Sequence, residues 1–375
     1  MSGSKTFFLN SVKTIKYLRI FGYATFSAHS VKDERVFVSK ADFSFFFGNL
    51  LIACLIFYLS MIYKPVSSSE LKIMAYVTKF VMNSASIICI ISLISVFCFR
   101  NKIWQLTKLI DSMNELFLSI NVDINMKNFK TFFMTIATTF IIFQGFGLFC
   151  MSYFLNYHKK ITVLMLFGYL SMSYSTNNGW IMMFQLAVNR RFKAVNEKLR
   201  QEFFFSKYSF NIRYFIFRNL VDFSHSSTIE HNNKIVKTLQ TIHYDLIKSI
   251  KLINLVFGFQ NMLAIGICYL FTFFTFFAAY KAFYNDISSH KNISITSFYW
   301  CFYYNSLVIL MIVMCYRSRC ENEETSRLIS KLMNKGNCSL ELLQSFGNQS
   351  SGEKAKSSCG LFDFDLPLIG MVNFF

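Results

Sequence analysis

Long apolar runs separated by polar, mostly basic stretches set the pattern of this chain. Runs of spanning length occur at Phe43–Tyr63, Met74–Phe99, Thr131–Leu155, Ile161–Val188, Leu255–Tyr284 and Phe298–Tyr316, and a further one begins near Cys359. A helix rises about 1.5 Å per residue, so about 20 residues cross a bilayer core. The first six runs reach that length. The seventh ends with the chain at Phe375, short of a full span.

Polar stretches add helical pattern of their own. Arg191 to Leu199 continues the fourth run as a helix, while the mixed aromatic and basic stretch Phe203–Phe223 suits a membrane face. From about Glu230 a new helix is predicted. Its positions Ile235, Leu239, Ile242, Leu246, Ser249 and Ile253 follow alternating steps of four and three, a helix-packing seam. Two readings of that seam stand, an intramolecular bundle and a subunit contact. Beyond the sixth run, Arg317–Lys335 carries Leu328, Ile329, Leu332 and Met333 on one side, and Ser345–Ser358 reads as a flexible linker.

Composition agrees with a membrane class. The chain is 54% apolar and 15% charged, with 47 Phe against 2 Pro and 14 Gly. Soluble domains carry about a quarter charged residues. Charge then orients the spans. Of 38 Lys and Arg, 31 fall in the N-terminal arm and the second, fourth and sixth connections, against five in the other three. Positive residues favour the cytosol, so the N-terminus is expected inside. The same asymmetry accounts for the net charge of +18 without nucleic acid. The sequon at Asn292 falls in a connection assigned to the outside and is the expected glycosylation site. The first forty residues lack the apolar core of a signal peptide, and ten scattered Cys do not read as a disulfide framework.

The expected fold class is therefore all-α: a polytopic membrane protein with six full transmembrane helices, a truncated seventh, a cytosolic N-terminus and a cytosolic helical anchor. In residues, 1–42 is a cytosolic arm, 43–188 holds spans one to four, and 189–254 is the helical anchor loop. Spans five and six occupy 255–316, a cytosolic helix and linker 317–358, and the truncated seventh span 359–375.

Four stretches resemble insect gustatory receptors. Arg191-Phe192 with Asn196 and Leu199 is similar to that family's element after span four. Leu239, Ile242-His243, Leu246, Asn254 and Phe257-Gly258 resemble its run into span five, and Cys320 with Thr325 its segment after span six. Cys359-Gly360-Leu361-Phe362-Asp363 with Asp365 resembles the start of its span seven. The Thr-Tyr and Gln-Phe pairs that follow in the family are not in this sequence. The resemblance implies a ligand-gated, nonselective cation channel for taste in the plasma membrane of chemosensory neurons. It implies a homo- or hetero-tetramer with other gustatory receptor subunits, joined through a cytosolic anchor, with span seven lining the pore. Pore positions would be Asp363, Asp365, Leu366, Ile369, Gly370 and Asn373, and the anchor would use Ile235, Leu239, Ile242, Leu246 and Ile253.

Candidate ligand positions come from polar groups and aromatics inside the spans. Ser171 to Gly179 is the most polar stretch of the fourth run, and polar groups in lipid need partners. Its Ser173, Tyr174 and Asn177, with Tyr169, Tyr280, Trp300 and Tyr303, would bind a small-molecule tastant. Interhelical hydrogen bonding and an interfacial aromatic belt are the structural alternatives. Tyr169 and Tyr303 lie deepest. Asp363 and Asp365 either draw cations or cap a helix, with Pro367 in the first turn. His243 reads as a packed side chain. His225 and His231 do not have metal-ligand spacing, and no phosphate loop or nucleophile motif occurs, so no enzyme, metal or cofactor is expected. Rival readings are a G-protein-coupled receptor, which lacks support from an Asp/Glu-Arg-Tyr triplet or Asn-Pro-x-x-Tyr, a transporter, and an inactive or regulatory receptor subunit.

Overall fold

The computed structural model describes residues 22–23, 31–32, 35–36, 39–62, 72–124, 126–154, 161–205, 221–284, 288–335, 338–352 and 355–358. Apart from a two-residue antiparallel pairing of Val31–Lys32 with Arg35–Val36, the described elements are helical. They are α1 (Lys40–Ile62), α2 (Lys72–Cys98), α3 (Arg100–Ser119), α4 (Met126–Phe154), α5 (Ile161–Arg200), α6 (Val221–Tyr284), α7 (Ser288–Met333) and α8 (Leu340–Gly352). A π turn, Gln201–Phe205, ends α5.

Among the described residues, α1 and the stretches Ile229–Phe277 of α6 and Ser294–Met333 of α7 are long and apolar enough to cross a membrane. The end of α2 joins α3 through a 68° bend and passes only together with it. Ser39 caps α1: its hydroxyl accepts from the Asp42 amide at 3.1 Å and donates to the Asp42 carboxylate at 2.5 Å. One face of α1 buries Phe46, Asn49, Ala53 and Ile56, while Leu51, Leu55 and Tyr58 stay exposed on the other.

Helix α5 runs through the middle, packed against α2, α4, α6 and α7. The level at which the bundle leaves the apolar layer is marked on α6. Its exposed stripe reads Lys237, Tyr244, Lys248 and Lys251, then switches to Leu255, Phe259, Leu270 and Phe273. Beyond that level the ends of α5 and α7, the first half of α6, and α3 and α8 form a polar-surfaced helical platform.

The platform is built on buried apolar stripes tied by a few satisfied polar groups. Ile235, Leu239, Ile242, Leu246 and Ile253 are all buried within this one chain, so the seam is core. Of the two readings of the seam, this burial favours the intramolecular bundle. His243, fully buried beside them, donates from Nε2 to Asn322 Oδ1 at 2.7 Å and accepts at Nδ1 from Gln349 Nε2 at 3.3 Å. Those two bonds together fix the neutral Nε2–H tautomer. Asn196 donates to the Glu321 carbonyl and carboxylate at 2.9 and 2.8 Å, and accepts from Thr325 at 2.7 Å. Arg191 is also buried and donates to Asn114 Oδ1 at 2.8 Å. Burial pulls its guanidinium down to about 10, against the pull of the Asp111 carboxylate.

Other elements add to or change the sequence reading. The connection after α2 holds a 20-residue amphipathic helix, α3, with Ile103, Leu106, Ile110, Met113 and Phe117 buried. It closes on Asn121 at φ 57°, with Asn121 and Val122 amides returning to Leu118 and Phe117 carbonyls at 3.1 and 2.9 Å. The stretch read as a linker is helical to Gly352, because Leu343 and Phe346 pack into the platform and override its Ser and Gly content. The new helix predicted from about Glu230 begins earlier, at Val221, and runs to Tyr284. The seventh-span positions Asp363, Asp365, Leu366, Ile369, Gly370 and Asn373 lie outside the described residues, as does most of Phe203–Phe223.

The direction of the seam sets a clear expectation. Leu239→Asp puts a charge into a buried site and should cost at least about 3 kcal/mol, removing folded protein altogether. Lys237→Asp, on the exposed stripe, should leave it intact. Size-exclusion profiles of the two variants in detergent check the contrast.

Candidate functional site

Helix α5 carries an unusual density of polar side chains where it is enclosed on all sides. Ser171, Ser173, Tyr174, Thr176, Asn177 and Asn178 are buried. Several reach a different neighbour. Gln144 of α4 donates to Ser171 Oγ at 2.7 Å and to the Gly168 carbonyl at 3.0 Å. Tyr174 Oη lies 3.6 Å from Cys268 Sγ of α6, and Ser175 Oγ 2.5 Å from Tyr303 Oη of α7. Tyr169 donates to Asn49 Oδ1 of α1 at 2.7 Å.

Above this row an aromatic cluster closes around Trp300, 3% exposed. Phe167 meets the indole edge-on at 4.6 Å between ring centres, and Tyr303 and Tyr304 follow at 5.6 and 5.9 Å. Phe140 touches Tyr303 at 5.9 Å, and Tyr174 touches Tyr304 at 5.2 Å. The cluster is drawn tight by α4: a Cβ on Gly147 would come 2.6 Å from Tyr299 and 2.8 Å from the Trp300 ring.

The polar accounting of this region is incomplete in a definite way. The Trp300 Nε1 donor is buried without a partner, and so are the Asn177 and Asn178 side-chain carbonyls. Buried polar groups of native proteins are nearly always hydrogen-bonded. One donor beside aromatic faces and two acceptors on the row below are what a small, mostly apolar molecule with a hydrogen-bonding group requires.

Of the positions expected from sequence, Tyr169, Ser173, Tyr174, Asn177, Trp300 and Tyr303 lie along α5 and the face of α7 against it. Tyr280 does not join them. It is 70% exposed and stacks on Tyr284 at the outer surface of α6. Asn292 falls in the first turns of α7, and its side chain lies outside the described residues. Gln144, Gly147, Phe167 and Tyr304 complete the cluster. Gln144 had a legible signal, a lone amide within an apolar run. Gly147 had none, since close approach is invisible before the helices are paired.

Fold and site together define a multi-pass helical membrane protein with an enclosed aromatic and polar site. The chain belongs to the 7tm chemosensory receptor family, whose family model matches residues 14–374. Its fold is similar to the solved structure of the insect olfactory receptor OR5 from Machilis hrabei. That likeness has a TM-score of 0.65 at 10% identity and covers 96% of this chain and 93% of that one. No curated protein matches the sequence.

Filling the close approach should be felt at once. Gly147→Val forces the Tyr299 and Trp300 rings to shift and should cost about 1–3 kcal/mol. Gly145→Val, where an added Cβ meets nothing within 4 Å, should be neutral. Thermal unfolding of both variants in detergent reads the difference.

Proposed function

We propose that this chain is a subunit of a ligand-gated, nonselective cation channel that detects small molecules, of the gustatory type. The observation that carries the reading is the buried cluster around Trp300 and Tyr303, with its unpartnered indole donor, inside a chemosensory receptor fold. The taste assignment rests on the resemblance of Cys359-Gly360-Leu361-Phe362-Asp363 to gustatory receptors. The charge distribution supports a cytosolic N-terminus and platform, with Asn292 outside. Ligand enters among α4, α5 and α7 and is held by the Trp300, Tyr303 and Tyr304 rings, with Trp300 Nε1 donating to it and Asn177 accepting from it. Asp363, Asp365, Leu366, Ile369, Gly370 and Asn373 belong to the pore helix of a homo- or hetero-tetramer in the plasma membrane of chemosensory neurons. A non-conducting regulatory subunit is the alternative that the same experiment separates.

Expression in cells without other such receptors, with a panel of tastants and whole-cell recording, tests the assignment. A ligand-dependent cation current would identify a subunit that conducts by itself, and ligand binding without current identifies the regulatory role. Tyr303→Ala and Asn177→Ala should each raise the half-maximal ligand concentration about tenfold, equivalent to about 1.4 kcal/mol. Tyr280→Ala should leave it unchanged. Unchanged responses in both buried variants would show that the cluster is packing alone.

Orientation has its own check. Glycosidase treatment should shift the mobility of the wild-type chain and not of Asn292→Gln. A sequon inserted after Lys237 should remain unmodified, and its modification would reverse the orientation.

A further inference from the structure

The polar row of α5 has a second side, and the N-terminal arm reaches it. Gly22 takes φ +74°, a left-handed value that a side chain adopts with strain. An added Cβ there would lie 3.1 Å from Leu93, and 3.3 Å from both Asn49 and Phe46. The backbone thus lies directly against α1 and α2, and glycine is what lets the next residue pass inward. That residue, Tyr23, is fully buried.

Its phenol is read by two groups from two helices. Tyr23 Oη lies 2.8 Å from Ser173 Oγ of α5 and donates to Cys89 Sγ of α2 at 3.8 Å. Cys89 Sγ lies 2.9 Å from Ser173 Oγ. The three groups close a ring: Ser173 donates to Tyr23, Tyr23 to Cys89, and Cys89 to Ser173. Each group gives one proton and receives one, so none is left unsatisfied. Phe46 and Asn49 stand about 9–13 Å along α1 from its first residue. The arm therefore carries a phenol deep between helices that follow it in the chain.

We propose that the crevice between α1, α2 and α5 is a binding site for a phenol, and that Tyr23 is its tethered occupant. Ring-shaped space with a hydroxyl and a thiol at its end selects a phenol over a plain arene, because an arene would leave Ser173 and Cys89 one partner short. Tethering gives Tyr23 a millimolar effective concentration, which keeps dilute free phenols out of the wild-type chain. Ser173 is two residues from Ser175, the partner of Tyr303, so the occupant also positions the row on which the aromatic cluster rests. That last consequence depends on the cluster being the ligand site, whereas phenol binding does not.

The test uses the purified full chain and needs no current, so a silent channel has no bearing on it. Alkylation of Cys89 by N-ethylmaleimide is followed by peptide mass spectrometry in the wild type, Tyr23→Ala and Tyr23→Phe. Deleting a buried ring leaves a cavity that accepts a ring of like shape. Tyr23→Ala should therefore be alkylated at Cys89 at least about tenfold faster than wild type, with millimolar p-cresol, but not toluene, restoring protection. Equal rates in wild type and Tyr23→Ala would overturn the proposal, as would toluene protecting as well as p-cresol. If Tyr23→Ala fails to fold, the buried Cys268 and Cys315 are alkylated along with Cys89, and Tyr23→Phe decides. That variant keeps the ring, should fold, and should react severalfold faster at Cys89 than wild type because the masking hydroxyl is gone. A Tyr23→Phe rate equal to wild type would equally overturn it.

Discussion

A hydrogen-bonding group in an apolar layer must find a partner among other helices, and α5 brings a whole row of such groups to the centre of the bundle. Apolar contact does little to arrange helices among lipid tails that are equally apolar. The row supplies the missing specificity. Ser171 takes Gln144 from α4, Ser173 takes Cys89 from α2 and Tyr23 from the arm, Tyr174 reaches Cys268 on α6, and Ser175 pairs with Tyr303 on α7. Consecutive positions on one helix thus assign a place to each neighbour. Where the assignment stops, at Asn177 and Asn178, side-chain carbonyls stay without protein partners.

The same long helices leave the layer and meet different physics. In water the exclusion of apolar surface drives packing, so the platform is held by stripes such as Leu239, Ile242 and Leu246 against Leu328, Ile329, Leu343 and Phe346. Two buried polar sets cross it. His243, Asn322 and Gln349 join α6, α7 and α8, while Asn196, Thr325 and Glu321 join α5 to α7. Hydrogen bonds that link different helices in this way specify one arrangement of them.

What the sequence made legible follows from the range of the interactions involved. The first six apolar runs, the stripe at Leu328–Met333 and the α6 seam all depend on local periodicity, and all fall on described helices. The seam's direction depends on what covers it, which periodicity does not contain. Helix α3 was hidden by its charges, although Ile103, Leu106, Ile110, Met113 and Phe117 carry the spacing. Helix α8 was hidden by serine and glycine, whose weak propensity is overridden once Phe346 is enclosed. Within the site, Tyr303, Trp300 and the α5 row were readable as aromatics and polar groups in an apolar run. Tyr23 was not, because its bonds span 150 residues of chain to Ser173 and 66 to Cys89.

Helix α6 runs unbroken for 64 residues, from the platform through the bundle to the surface where Tyr280 and Tyr284 stack. At about 1.5 Å per residue that is a rod of about 96 Å. Such a rod acts as a lever. Pivoting by about 5° around its middle displaces each end by about 4 Å, the order of one helical turn. Near its middle Ser95 holds the Val256 carbonyl at 3.0 Å, close to where the exposed stripe turns from Lys251 to Leu255. That bond sits where a fulcrum would be. A rigid rod held there would turn a displacement at one end into an opposite one of equal size at the other, without any hinge in between.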